Sequence, residues 1–240
     1  MKIKHKKADP VKIKHKKANP VKINSKHHTM FKTKIHAMKK EIGKDTYKKI
    51  ASYTHYRVFI DSFSESKRGL HEIFNELWNA KEKDTLELRI NSEGGFINEG
   101  SQFYSIIKNK FKGRTVTYLD ACGYSMGALT FCMGDKRVIT PRSDLMFHDY
   151  SGAILGKGGE IESEFKHQAL HLRDFFSEVI LKNKFLTKKE FNKMLIGKDY
   201  WMGAKEICQR GIATHVLYGG KEIKAKKYLK ILKKAKKNSY

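Results

Sequence analysis

Residues Ala121–Gly134 read ACGYSMGALTFCMG, and this stretch organises the chain. It sets Ser125 between Gly123 and Gly127 and runs on into Ala128, Leu129 and Phe131. The preceding run, Thr115–Leu119, is β-branched and aromatic and reads as a strand. Ser125 is therefore expected at a strand-to-helix turn. Glycines allow a tight turn there, and a helix N-terminus offers free N–H groups. A serine nucleophile needs that setting: an exposed hydroxyl beside donors for a developing oxyanion. A buried turn of small residues satisfies the same short pattern.

Working outward, hydrophobic periodicity alternates between the two regular elements. Strands are predicted at Tyr56–Ile60, Leu86–Ile90, Arg137–Ile139, Leu145–Phe147 and Ile212–Leu217. Helices are predicted over Leu70–Ala80, Gln102–Phe111, Glu160–Lys182 and Ala204–Arg210, with a further one capped by Thr187 and Glu190. Asp61–Gly69 reads as a loop, and residues 34–55 as a mixed, lysine-rich segment holding a short helix. Strands alternating with helices imply crossover units, an α/β fold and a largely parallel sheet.

Charge divides the chain differently. Residues 1–50 carry 17 lysines against 3 acids, a net +14, and residues 221–240 carry 9 lysines against 1 acid, a net +8. Only +3 of the chain's +25 remains for the middle. The expected organisation is a basic, disordered arm over 1–40, a globular domain over 41–220 and a basic C-terminal helix or tail over 221–240. KIKHKKADPV (residues 2–11) recurs as KIKHKKANPV (12–21), with too little apolar surface to fold alone. Such tails are solvated extensions, or they grip nucleic acid or an acidic scaffold protein. Lys221–Lys237 carries a weak apolar stripe suited to docking on its own domain. No apolar run approaches the ~20 residues of a membrane span, and the N-terminus lacks the apolar core of a secretory signal. Cys122, Cys132 and Cys208 have no C-x-x-C spacing and suggest reduced thiols in a cytoplasmic setting, with no metal site and no cofactor.

Two further segments bear on Ser125. Asn91-Ser92-Glu93-Gly94-Gly95 follows a strand, and its paired glycines bring backbone N–H groups close to a ligand; a plain turn reads the same way. Ser92 and Gly94 are expected at the lip of a peptide groove. His148 ends an apolar strand, where it is either an edge residue or, beside a serine nucleophile, the general base.

The order I-N-S-x-G-G, S-M-G-A, M-x-H and W-M-x-A-x-E, from about Tyr56 to Leu217, resembles the proteolytic subunit of the Clp protease. It looks most like the compact Clp-type and prohead proteases encoded by bacteriophages. The resemblance implies a crotonase-like fold of repeated ββα units and Ser125 as nucleophile with His148 as base. It also implies an oxyanion hole from the Gly95 and Met126 N–H groups, and a handle built from Gly152–Gly159 and the following helix. Polypeptide substrates, a homo-oligomeric ring (commonly heptameric in the family) and a separate ATPase unfoldase go with it. The chain itself has no phosphate loop, since Gly152-Ala-Ile-Leu-Gly156-Lys157-Gly158 is wrongly spaced.

Two positions depart from the family pattern. Glu93 replaces the usual proline. Aligned back from W-M-x-A-x-E, the triad aspartate falls on Leu195, which leaves Asp199 as the nearest carboxylate, with Asp149 expected to point away from His148 on an extended strand. The reading is a serine endopeptidase, in phage head maturation or in protein turnover. The alternatives are a weakly active or inactive Clp-fold protein for assembly or nucleic-acid binding through its tails, and an esterase with His215 as base.

Overall fold

The computed structural model describes residues 28–40, 48–63 and 69–237, with side chains described from Tyr53 onward. The tandem repeat and the first 27 residues of the expected arm lie outside the described residues, as does part of the expected Asp61–Gly69 loop.

Among the described residues nine strands form one mixed sheet. β1 (His28–Lys40) and β2 (Lys48–Ile60) pair antiparallel, from His28 opposite Ile60 to Lys40 opposite Lys48. The described parts of 34–55 are strand where a short helix was expected, and residues 41–47 lie outside the described residues. The alternation through Tyr56, Val58 and Ile60 extends backward into a long strand because residues 48–54 pair antiparallel with β1, which local pattern does not reveal. α1 (Gly69–Trp78) leads to β3 (Thr85–Ser92), α2 (Ile97–Lys110) to β4 (Thr115–Tyr124), and α3 (Met126–Cys132) to β5 (Lys136–Ile139) and β6 (Asp144–Phe147). β2, β3, β4 and β5 run parallel, and β4 pairs β5 through Val116–Leu119 and β6 through Cys122–Tyr124. This is a mixed α/β fold of alternating strand–helix units with a mostly parallel sheet, as expected.

The strand pattern explains which face is buried. Leu86, Leu88 and Ile90 of β3 and Thr115, Thr117 and Leu119 of β4 point to the helices. There Ile73, Phe74 and Leu77 of α1 meet Phe103, Ile106 and Ile107 of α2, with the Phe74 and Phe103 rings stacked at 5.4 Å. The intervening residues carry charge on the opposite face. Arg57 donates to Glu87, and Arg89 makes a two-pronged pair with Asp120 while lying over the Tyr118 ring.

α4 (Gly158–Phe176) runs on through a π-helical turn at Ser177–Leu181. Its first half is exposed, and only Leu172, Phe175 and Phe176 of α4 are buried. α5 (Lys188–Met194) starts from the predicted capping box, in which Thr187 Oγ1 accepts from Glu190 N–H and the Glu190 carboxylate accepts from Thr187 N–H. β7 (Tyr200–Gly203) pairs antiparallel with β6, and α6 (Ala204–Gln209) ends at Gly211 in the left-handed region. β8 (His215–Tyr218) and β9 (Lys221–Lys224) close the sheet edge, and α7 (Ala225–Lys237) folds back on the domain through buried Ala225 and Tyr228. The basic C-terminal stretch is thus docked on its own domain. Among the described residues no helix is long and apolar enough to cross a membrane.

Candidate active site

Three neighbouring parallel strands end together. Ser92 of β3 lies opposite Gly123 of β4, and Gly123 and Tyr124 lie opposite Leu145 and Met146 of β6. The chain leaving these strands supplies Gly94 and Gly95, Ser125, and His148 in turn. Carboxyl ends of parallel strands are where open α/β sheets hold ligands.

Ser125 caps α3 with φ 51° and ψ −122°. A non-glycine residue there is strained by roughly 1–3 kcal/mol, held in place by its surroundings. Its N–H donates to Met146 O at 3.1 Å, and its carbonyl accepts from Leu129 N–H at 3.1 Å, which ties the turn between β4 and α3 to β6.

The glycine pair packs against this turn. Gly94 has φ +111°, and a Cβ there would lie 2.7 Å from Ser125 Cβ and 3.1 Å from Met126 N. Gly95 has φ +135° and abuts Phe63, whose N–H donates to Gly94 O at 2.8 Å and whose carbonyl accepts from Phe96 N–H at 2.6 Å. The Gly95 and Met126 N–H groups make no hydrogen bond to another described residue, so both remain available as donors. Ser92 is buried, and its Oγ accepts from Gly94 N–H at 3.1 Å. It supports the glycine turn from below and does not line the cavity, contrary to the expected place at the groove lip.

Ser125, His148, Asp149 and Tyr150 line one small cavity with the apolar side chains of Ile97, Leu129, Phe147 and Ile180. The cavity is small, about 20 Å³, with room for about one water-sized group. Ser125 and His148 face the same space without a hydrogen bond between them; such bonds are often long before substrate binds. Asp149 also lines the cavity, where it was expected to point away. β6 ends at Phe147, so strict strand alternation stops there. Burial raises the Asp149 carboxyl pKa, against the opposing pull of the Tyr150 N–H on Oδ1 at 2.9 Å and of His148.

Asp199 is exposed and outside that cavity lining. It immediately precedes Tyr200, which pairs with Phe147, the residue immediately before His148. Both strands end at this pair, so the chain enters β7 at Asp199 beside the point where it leaves β6 at His148. Leu195 instead ends α5, half-buried against the core. The sequence missed β7, and with it this register, because four residues ending in glycine carry little strand signal. Phe63, which pins Gly95, was also missed, and no sequence motif marks it.

The profile of the Clp protease family matches residues 65–219, well over half of the chain and all of the elements around the cavity. The chain belongs to the Clp protease family. This Clp-family chain is 32% identical over 146 residues to the ATP-dependent Clp protease proteolytic subunit 2 of Chlamydia trachomatis serovar D, covering 59% of this chain and 69% of that protein. It is equally similar to subunit 2 of Chlamydia abortus, at 32% over 152 residues, covering 60% and 70%. For subunit 1 of Chlamydia felis the values are 32% over 149 residues, 59% and 69%. These relatives are bacterial subunits and lend no support to a bacteriophage subtype.

Among the described residues no group of three or more His, Cys, Asp or Glu side chains is placed to hold a metal ion. The thiols of Cys132 and Cys208 are pushed up by burial to about 12 and about 11, which keeps them protonated and unreactive at neutral pH.

Proposed function

We propose that this Clp-family chain is a serine endopeptidase. The observation that carries the proposal is the strained Ser125 turn sharing a cavity with His148, beside two N–H groups with no acceptor among the described residues. Ser125 Oγ attacks the scissile carbonyl carbon while His148 takes its proton. The Gly95 and Met126 N–H groups receive the oxyanion, and Gly94 lets the peptide approach the serine. His148 then protonates the leaving amine, and water repeats the sequence on the acyl-enzyme.

Asp199 is the group that orients His148 in this reading, from the end of β7 beside the end of β6. Asp149 suits that role less, because its Oδ1 already accepts from the Tyr150 N–H.

The exposed part of α4 carries Phe165 and Leu170 at 56% and 66% exposure, with Leu155 just before the helix at 96%. Apolar side chains this exposed fit a contact between subunits, so the working form is a homo-oligomeric ring. A separate ATPase would unfold and deliver protein substrates, in the cytoplasm. Short peptides need no unfolding. Purified wild-type protein should therefore hydrolyse a fluorogenic peptide, and Ser125→Ala and His148→Ala should each abolish it. Equal rates for wild type and Ser125→Ala would reject the reading.

A further inference from the structure

We propose that helix α7 is a docking surface for the phosphate backbone of nucleic acid, without preference for base sequence. Its 13 residues, AKKYLKILKKAKK, hold seven lysines and no acid. At about 100° per residue, Lys226, Lys227, Lys230, Lys233, Lys234 and Lys237 fall within an arc of about 120° on one side of the helix. All six are exposed. None makes an ion pair with a described carboxylate. The acid nearest in sequence, Glu222, is engaged by Lys136 and by the Tyr118 hydroxyl.

The opposite side of the helix decides between two anionic partners. A lysine-rich amphipathic helix binds a bilayer by burying its apolar face among the acyl chains. Here that face is already occupied. Ala225 and Tyr228 are buried at 6% and 4% exposure, Leu229 and Leu232 pack on the core, and the Tyr228 ring meets Tyr218 at 5.6 Å. The face left for a partner is lysine with half-buried Ile231 at its edge, which suits a polyanion held by charge. The arc contains no Arg, Asn, Gln or aromatic side chain of the kinds that read base edges or stack on bases, so recognition stops at phosphate.

The test uses the full chain and a variant with Lys226, Lys230, Lys233 and Lys237 all changed to Gln. Binding to a fluorescein-labelled duplex of roughly 20 base pairs is followed by anisotropy as potassium chloride rises from about 50 to about 300 mM. The N-terminal lysines are the same in both proteins, so the difference reports α7. The expected result is at least a tenfold loss of affinity and a log–log salt slope shallower by about 3–4. The same four positions changed to Arg should bind like wild type. If thermal melting shows the Gln variant misfolded, Lys230→Gln alone takes its place, with an expected slope change of about 1. Unchanged affinity and slope would overturn the proposal. So would a lysine-dependent interaction with vesicles of about 30% phosphatidylserine and none with the duplex, which would make α7 a membrane surface.

Discussion

Gly94 packs directly on Ser125, with the space for a Gly94 Cβ only 2.7 Å from the Ser125 Cβ and 3.0 Å from the Tyr124 carbonyl. The glycine turn after β3 and the serine turn after β4 therefore form one rigid unit. Gly94→Ala must displace the serine or the Met126 N–H while also straining a backbone at φ +111°. A misplacement of this size should lower kcat/KM on a fluorogenic peptide by about 100-fold. Wild-type kinetics for the folded variant would show that Gly94 does not set the serine's position.

Asp199 and Asp149 make opposite predictions. Asp199→Asn should lower kcat by about 10³–10⁴-fold, because the imidazole loses its orienting charge. Asp149→Asn should cost less than about tenfold, since its Oδ1 is held by the Tyr150 N–H and an amide oxygen can accept the same bond. Steady-state kinetics on both variants decide, and the reverse order would move the orienting role to Asp149.

Glu87 predicts a pH dependence. Burial alone would raise its pKa, but hydrogen bonds from His55 and Arg57 lower it to about 2. A depressed carboxyl stabilises the fold fully above its unfolded value of about 4.3 and loses that contribution as pH falls toward 2. Glu87→Gln should cost about 1–2 kcal/mol at pH 7, with Arg57 half in water, and progressively less on acidification. Urea unfolding of both proteins at pH 7 and pH 3 measures this; a difference independent of pH would contradict it.

Phe165 and Leu170 test the assembly. Both are exposed in the protomer, so Phe165→Asp with Leu170→Asp should change thermal stability by less than about 1 kcal/mol. Light scattering after size exclusion should show smaller particles than wild type. Particles of unchanged mass would place the subunit contact elsewhere.

Much of this architecture was legible where the decisive interactions are local. The alternation of Leu86, Leu88 and Ile90 marks a buried strand face, and Thr187 and Glu190 mark a helix start within four residues. Ser125 between its glycines marked the turn. What escaped depends on distant pairing. Residues 28–40 form a strand only against β2, and Tyr200–Gly203 only against β6. That second pairing brings the end of β7, just after Asp199, beside the end of β6, just before His148, which no count along the chain supplies. Phe63 likewise meets Gly95 only in three dimensions.

The most direct test of the central claim is intact-mass spectrometry after treatment with a fluorophosphonate, which bonds an activated serine Oγ to phosphorus and expels fluoride. The account predicts one adduct per chain on wild-type protein, greatly slowed by His148→Ala and absent in Ser125→Ala. No adduct on folded wild-type protein, or an adduct that persists in Ser125→Ala, would contradict it.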